Sequence, residues 1–343
     1  MVKRVAFAVP GDLNTPTGGY AYDRRMIAEL QKLGWQVDVI GLGDGFPRPD
    51  AATKAAANEK LAGVPKECPV IVDGLAFGVL PEAAHELGER IPLLALETGL
   101  APADAQALRA SEYDALAAVR GVVVNSPSTS QLLADDYDVS PDLITIAYPG
   151  TDRGQTAPGS SDDIVRLVSV GAVVPRKGFD VLIEALAPLK NLPWRLAIAG
   201  DLTRDEATAK QLDADITRHG LADRIEVLGA LPADRVAALY VASDVFVLAS
   251  RFEGYGMAYA EALAHGLPVI GTTAGAIPDT VPPNAGVLVE PNDVKALTRT
   301  LRMLIENPKE RQWLASGARE AGTALPTWED SAKRLAGAIE ALA

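Results

Sequence analysis

Short apolar runs alternate with stretches of helical periodicity along almost the whole chain. The first run is Val5 to Val9, followed by a Gly-containing turn and then by Ile27, Leu30 and Leu33 at helical spacing, closed by Gly34. Runs at Val37 to Ile40, Val70 to Val72, Leu93 to Leu96 and Gly121 to Asn125 continue the series. After a polar interruption the alternation restarts at Val165 to Val170. It recurs at Arg195 to Ala199, Ile225 to Leu228, Val245 to Ala249, Val269 to Gly271 and Gly286 to Val289. Brief, continuously apolar runs separated by helical segments predict parallel strands covered on both faces by crossover helices. The chain reads as α/β, with two doubly wound units in tandem and no internal repeat of about 20–50 residues.

The pattern breaks around Tyr148-Pro149-Gly150-Thr151-Asp152, and residues 154–163 are polar, with Pro158, Gly159, Ser160 and Ser161. The expected domains are therefore 1–152 and 153–325. Beyond Pro326, the residues Trp328, Ala332, Leu335, Ile339 and Leu342 fall at spacings of four, three, four and three, which predicts an amphipathic helix within 326–343. Periodicity alone does not say whether this helix packs on its own domain or returns to the first.

Composition narrows the classes of function. The 343 residues are 48% hydrophobic and 22% charged, ordinary for a globular protein of about two domains. A net charge of −13 disfavours a nucleic-acid partner, which calls for a basic face. Residues 1–150 hold 12 basic and 20 acidic residues, so a strongly basic membrane-docking face is not expected there either. Cys68 is the sole cysteine, in keeping with a reducing, cytoplasmic setting. His85, His219 and His265 are far apart, so no zinc cluster is expected. The apolar run that ends at Pro10 is too short for a signal core, and no run approaches the ~18 residues of a spanning helix.

Five segments carry candidate chemistry. In Ser250-Arg251-Phe252-Glu253-Gly254-Tyr255-Gly256-Met257, continuing to Glu261, two carboxylates lie in different settings around one turn. Glu253 follows a strand, and Glu261 sits inside the next helix. The backbone amides of Gly254, Tyr255, Gly256 and Met257 open that helix, where N–H groups and the dipole favour an anion. In Gly171-Ala172-Val173-Val174-Pro175-Arg176-Lys177-Gly178, two cations follow the carboxyl end of a strand, the edge where parallel sheets hold ligands. Thr15-Pro16-Thr17-Gly18-Gly19-Tyr20 places glycines between the first strand and first helix, where the backbone can approach a phosphate. It is not the dinucleotide G-x-G-x-x-G, and no acidic residue clearly ends the second strand as a ribose ligand. Ile198-Ala199-Gly200-Asp201 and Leu228-Gly229-Ala230-Leu231-Pro232 end strands with small residues, as a base pocket or an ordinary strand-to-helix turn would.

Together these strings resemble the nucleotide-sugar motifs of retaining glycosyltransferases of the GT-B fold, family 4 type. Asn125-Ser126-Pro127-Ser128-Thr129, Pro149-Gly150-Thr151-Asp152 and Thr273-Ala274-Gly275-Ala276-Ile277-Pro278-Asp279 extend the likeness over nearly the whole chain. The resemblance implies two facing Rossmann-like domains with a cleft between them, and a last helix that crosses back to the first domain. It implies hexose transfer, with retention, from a UDP- or GDP-linked sugar to a hydroxyl of a small-molecule, glycan or lipid-linked acceptor. Glu253, Lys177 and Arg176 take the catalytic roles. Gly18, Gly19, Gly229, Leu231, Gly254, Tyr255, Gly256, Met257 and Glu261 bind the donor, with Glu261 on the ribose. No metal or other cofactor is implied, because fixed cations do the work of a divalent ion.

Two departures stand out. The family usually has an arginine where this chain has Ala172. It also has a histidine in the loop after the strand that corresponds to Leu93 to Leu96, where this chain runs Glu97-Thr98-Gly99-Leu100. These departures motivate an alternative, a GT-B protein that binds nucleotide sugar and transfers weakly or not at all. An oxidoreductase on two Rossmann domains is a weaker reading, for want of a dinucleotide fingerprint.

Overall fold

A computed structural model of the protein describes residues 3–15, 17–97 and 102–342, with side chains from 108 onward in the helix Pro102–Leu116. Among the described residues twelve strands form two six-stranded sheets. The first unit comprises residues 1–150 and 326–343, and the second 151–325.

In the first unit the strands are β1 (Arg4–Val9), β2 (Gln36–Gly41), β3 (Val70–Asp73), β4 (Leu93–Glu97), β5 (Gly121–Val124) and β6 (Ile144–Ile146), in the order β2-β1-β3-β4-β5-β6. Every pairing is parallel. The central strands β3, β4 and β5 are buried along their whole length, as continuous apolar runs require. The edge strand β2 is half-exposed. β6 has no counterpart among the sequence expectations: Ile144-Thr145-Ile146 is a three-residue, half-buried strand, too short to stand out from a loop.

The final helix, Trp328–Leu342, packs against the helix Gly18–Lys32 and against β5 and β6. Its buried face includes Trp328, Ala332, Leu335 and Ile339, the residues that carried the periodicity. Ser331 donates to the Tyr148 carbonyl, and Tyr22 donates to that of Ala147 at 2.8 Å while its ring lies 6.1 Å from that of Trp328.

In the second unit the strands are β7 (Val165–Val170), β8 (Trp194–Ala199), β9 (Ile225–Gly229), β10 (Val245–Val247), β11 (Val269–Thr272) and β12 (Gly286–Val289), in the order β12-β11-β10-β7-β8-β9, again all parallel. The chain starts at β7, winds outward through β8 and β9, then returns to β10 beside β7. That reversal is a topological switch point, and the loops after β7 and β10 diverge there to leave a crevice. The polar stretch 154–163 is fastened to this unit: the Ala157 amide donates to the His265 carbonyl at 2.8 Å, and Asp244 accepts from the Ser160 amide at 2.6 Å. Among the described residues no helix is long and apolar enough to cross a membrane.

Candidate functional site at the switch point of the second unit

The loop after β7 brings Arg176 and Lys177 to the switch point in a short 3-10 turn, Pro175–Lys177. Gly178 ends that turn at φ +65°, and a Cβ there would lie 2.0 Å from the Ala249 carbonyl oxygen. Only glycine accommodates both the left-handed backbone and the close approach. The loop after β10 brings Ser250 and Glu253 from the other side. Glu253 Oε1 accepts from Lys177 Nζ at 2.5 Å and from Ser250 Oγ at 2.6 Å, and Oε2 accepts from Arg176 at 2.9 Å. Arg176 also donates to the Phe252 carbonyl at 2.9 Å. Three residues that the sequence reading named as catalytic thus form one hydrogen-bonded cluster, although Lys177 and Glu253 are 76 positions apart.

The backbone around Glu253 is held as firmly as its side chain. The Ala276 amide donates to the Glu253 carbonyl at 2.9 Å, and Gly275, at φ +58°, packs so closely that a Cβ would lie 2.3 Å from the same oxygen. Thr272 donates to the Ser250 carbonyl at 2.5 Å. Arg251 points the other way, donating to Asn292 and Asp180 at 2.7 Å each and to the Pro175 carbonyl, while its amide donates to the Arg176 carbonyl. It ties the cation turn to the Glu253 loop.

Glu253 is 6% exposed. Burial pushes its carboxyl up, but Lys177, Arg176 and the hydrogen bonds from Lys177 and Ser250 outweigh burial and hold it below the ordinary glutamate value. Lys177 is also held below its usual value: burial pushes it down, Glu253 offsets part of that, and Arg176 and Arg204 push it down further. Both partners thus shift downward, Lys177 chiefly through burial and Glu253 through its cations. Two cations, Arg176 and Lys177, meet one carboxylate, and the excess positive charge suits an anion.

The helix Met257–Ala264 starts directly beyond. Gly256 caps it at φ +92°, and a Cβ there would meet the Tyr259 ring at 2.9 Å. Gly254 and Met257 are half-buried and Tyr255 is buried, its carbonyl accepting from Thr280 at 2.7 Å. Glu261, one turn into the helix and half-buried, does not join the Glu253 cluster. Its Oε2 accepts from the Tyr240 hydroxyl at 3.1 Å. Burial raises its pKa, the Tyr240 hydrogen bond lowers it, Asp152 raises it and Lys177 lowers it, with a net upward shift.

The remaining candidates lie elsewhere. Gly229 ends β9 at φ +68° with open space where a Cβ would be, and Leu231 is half-buried just beyond. Gly18 and Gly19 belong to the first unit. They form the first turn of the helix Gly18–Lys32 instead of preceding it, and the Thr17 side chain caps that helix by accepting from the Tyr20 amide. Pro16 and Thr98, Gly99 and Leu100 lie outside the described residues. Ala172 lies just beyond β7, after Gly171. Among the described residues no group of three or more His, Cys, Asp or Glu side chains is arranged to hold a metal ion. Ser250, Arg251 and Tyr240 escaped the sequence reading as contributors. A hydroxyl three residues from Glu253 carries little signal, and a tyrosine 21 residues before Glu261 carries none.

Two Rossmann-like parallel-sheet units in tandem, the second with cations and a glutamate at its switch point, define the GT-B class of fold. Solved structures agree: sucrose-phosphate synthase from Thermosynechococcus elongatus superposes with a TM-score of 0.83 at 20% identity over 99% of both chains. HepE from Anabaena, solved in complex with UDP and glucose, superposes with a TM-score of 0.79 at 20% identity over 98% of this chain and 99% of that one. The family model of "Glycosyl transferases group 1" matches residues 155–321, nearly all of the second unit, which is a domain of that family. Curated relatives include the D-inositol 3-phosphate glycosyltransferase 1 of Catenulispora acidiphila, 29% identical over 75% of this chain and 65% of its own length. The MMP alpha-(1->4)-mannosyltransferase of Mycolicibacterium hassiacum is 28% identical over 64% of this chain and 53% of its own. The chain spans about half to two-thirds of the length of the curated relatives it matches.

Proposed function

We propose that this protein is a glycosyltransferase that moves a hexose from a nucleotide-diphosphate sugar to a hydroxyl acceptor, with retention of anomeric configuration. The observation that carries the reading is the excess of positive charge around Glu253 at the switch point, beside the N-terminus of the helix Met257–Ala264. Arg176 and Lys177 take the diphosphate, the amides of Gly254, Tyr255, Gly256 and Met257 take phosphate or sugar oxygens, and Glu261 takes the ribose. Gly229 and Leu231 border the base. As the anomeric C–O bond breaks, negative charge grows on the departing diphosphate oxygen. Cations already fixed by Glu253 and by the fold stabilise that charge without reorganising. Glu253, released in part when the diphosphate engages its two cations, orients sugar hydroxyls. The transfer needs no divalent metal, because these cations do its electrostatic work. The donor assignment is supported by the UDP-bound HepE structure and by curated relatives whose names specify glycosyl and mannosyl transfer.

The test is calorimetric titration with UDP, GDP and their glucose and mannose conjugates, on parent protein and on Lys177→Ala. One nucleotide should bind with micromolar affinity, and the variant should bind it about tenfold or more weakly, roughly 1.4 kcal/mol. NMR of the product then reads the anomeric configuration. No binding of either nucleotide by the parent would defeat the proposal.

A further inference from the structure

Tyr240, on the helix Ala233–Val241, faces the helix that carries Glu261. It is buried, and its ring is held on two sides. The His265 ring stacks on it at 5.2 Å and 21°, and Phe246 packs at 6.1 Å and 45°. His265 is itself immobilised, because its Nδ1 donates to the Gln155 carbonyl at 2.7 Å and Gly154 leaves no room beside the ring. The Tyr240 hydroxyl emerges from this sandwich at two points of the facing helix: the Ala258 carbonyl, at 3.3 Å, and Glu261 Oε2, at 3.1 Å. Among the described residues no other side chain donates to the Glu261 carboxyl.

We propose that Tyr240 is a positioning residue for Glu261: its hydroxyl holds Oε2 and keeps Oε1 available to accept the paired hydroxyls of a nucleotide ribose. The inference rests on the reading of Glu261 as the ribose ligand. A carboxylate carried on three rotatable bonds is a poor acceptor for two hydroxyls at fixed spacing unless something fixes its plane, and a locked phenol does so at little entropic cost. Tyr240 also acts on charge. Glu261 is faced by Tyr240, by Asp152 and by Lys177, while the Nδ1 proton of His265 is committed to Gln155. Burial and Asp152 favour the neutral acid, which offers one acceptor oxygen fewer. Tyr240 and Lys177 favour the carboxylate that ribose hydroxyls need. Loss of the phenol therefore moves the acid limb of nucleotide binding to higher pH.

Tyr240→Phe keeps the ring, its stack on His265 and its contact with Phe246, so folding is checked by an unchanged melting temperature. Titration uses UDP or GDP, whichever the parent binds more tightly. The expected result is binding about fivefold weaker than parent near pH 6, within about twofold near pH 8.5, and a smaller penalty for the 2′-deoxynucleotide at the lower pH. Glu261→Gln should weaken binding at both pH values and abolish the preference for ribose over deoxyribose. Equal weakening of Tyr240→Phe at both pH values, with a lowered melting temperature, marks a merely structural tyrosine and overturns the proposal, as does parent-like binding throughout. Parent-like binding by Glu261→Gln overturns the ribose assignment itself, and the role of Tyr240 with it.

Discussion

Both units bury carboxyls at the carboxyl ends of strands that meet at a switch point, yet they treat them in opposite ways. In the second unit Glu253 meets two cations and a serine hydroxyl, and its carboxyl is held below the ordinary value. In the first unit the strand order reverses between β1 and β3, and Asp73, which ends β3, accepts from the Leu75 amide at 2.9 Å. Asp23 reaches the same place from the helix Gly18–Lys32, fully buried, with no hydrogen-bond donor on either oxygen. Glu97, 3% exposed at the end of β4, has no partner for Oε1. Burial, and then the neighbouring acids, push Asp23 and Glu97 well up, and burial pushes Asp73 up to about 6. Asp23 and Asp73 can hydrogen-bond only by sharing a proton. Burial at a strand end does not by itself decide ionisation. A paired cation does, and among the described residues no lysine or arginine side chain forms an ion pair with Asp23, Asp73 or Glu97, Arg24 acting on Asp23 only as the smallest of its influences.

The comparison can be broken most forcefully at Lys177. Lys177→Met removes the better-buried cation and leaves Glu253 with Arg176, whose side chain is 37% exposed. Breaking one partner of a buried pair costs about 3–5 kcal/mol, read as a shift in urea-unfolding midpoint. A loss below about 1 kcal/mol would mean that Arg176 and Ser250 suffice to hold the Glu253 carboxylate.

Acidity gives the next largest effect, with opposite signs. Asp73 has a folded pKa above its unfolded value, so the folded state binds the proton more tightly. Its contribution is full below about pH 4 and is lost as pH rises through about 6, up to roughly 3 kcal/mol. Glu253 has a folded pKa below its unfolded value, so its contribution is present above about pH 4.5 and is lost as pH falls through the folded value. Amide exchange followed separately in β3 and β10 should show protection falling with pH in the first and rising in the second. Parallel profiles would contradict the contrast.

Asp23→Asn sharpens it further. The amide is nearly isosteric and can donate to Asp73 without a shared proton, so stability near pH 8 should rise by about 1–2 kcal/mol and stay level near pH 4, by thermal melts at both. An equal change at both would place the cost in packing instead. The smallest effect is expected at Arg176: as a half-exposed cation, Arg176→Met should change stability by less than about 1 kcal/mol while still weakening nucleotide binding.

Much of this molecule is legible in local pattern. Ten of the twelve strands announce themselves as apolar runs whose limits shift by a residue or so, and β7 and β12 match at both ends. The run at Val245 to Ala249 is different: Leu248 and Ala249 are buried, but the ladder ends at Val247, where the chain turns toward Ser250 and Glu253. β6 was invisible for want of length. The polar stretch 154–163 looks like a free connector, yet Asp244 and His265 fasten it, and both lie more than 80 residues away in sequence.

What the sequence determined by itself was therefore the succession of strands and helices, the two units, and the residue types able to meet phosphate and hydroxyl. These follow from periodicity and from short motifs, which are local. The tertiary structure alone decided which charges meet. The Lys177–Glu253 pair, the Tyr240–Glu261 hydrogen bond and the unpartnered Asp23 and Glu97 all depend on strand order, because sheet topology, not chain distance, sets which strand ends are neighbours. The return of the last helix to the first helix was settled in the same way: its apolar stripe fixed that it must be covered, and the surface formed by Tyr22, Tyr148 and their neighbours fixed where.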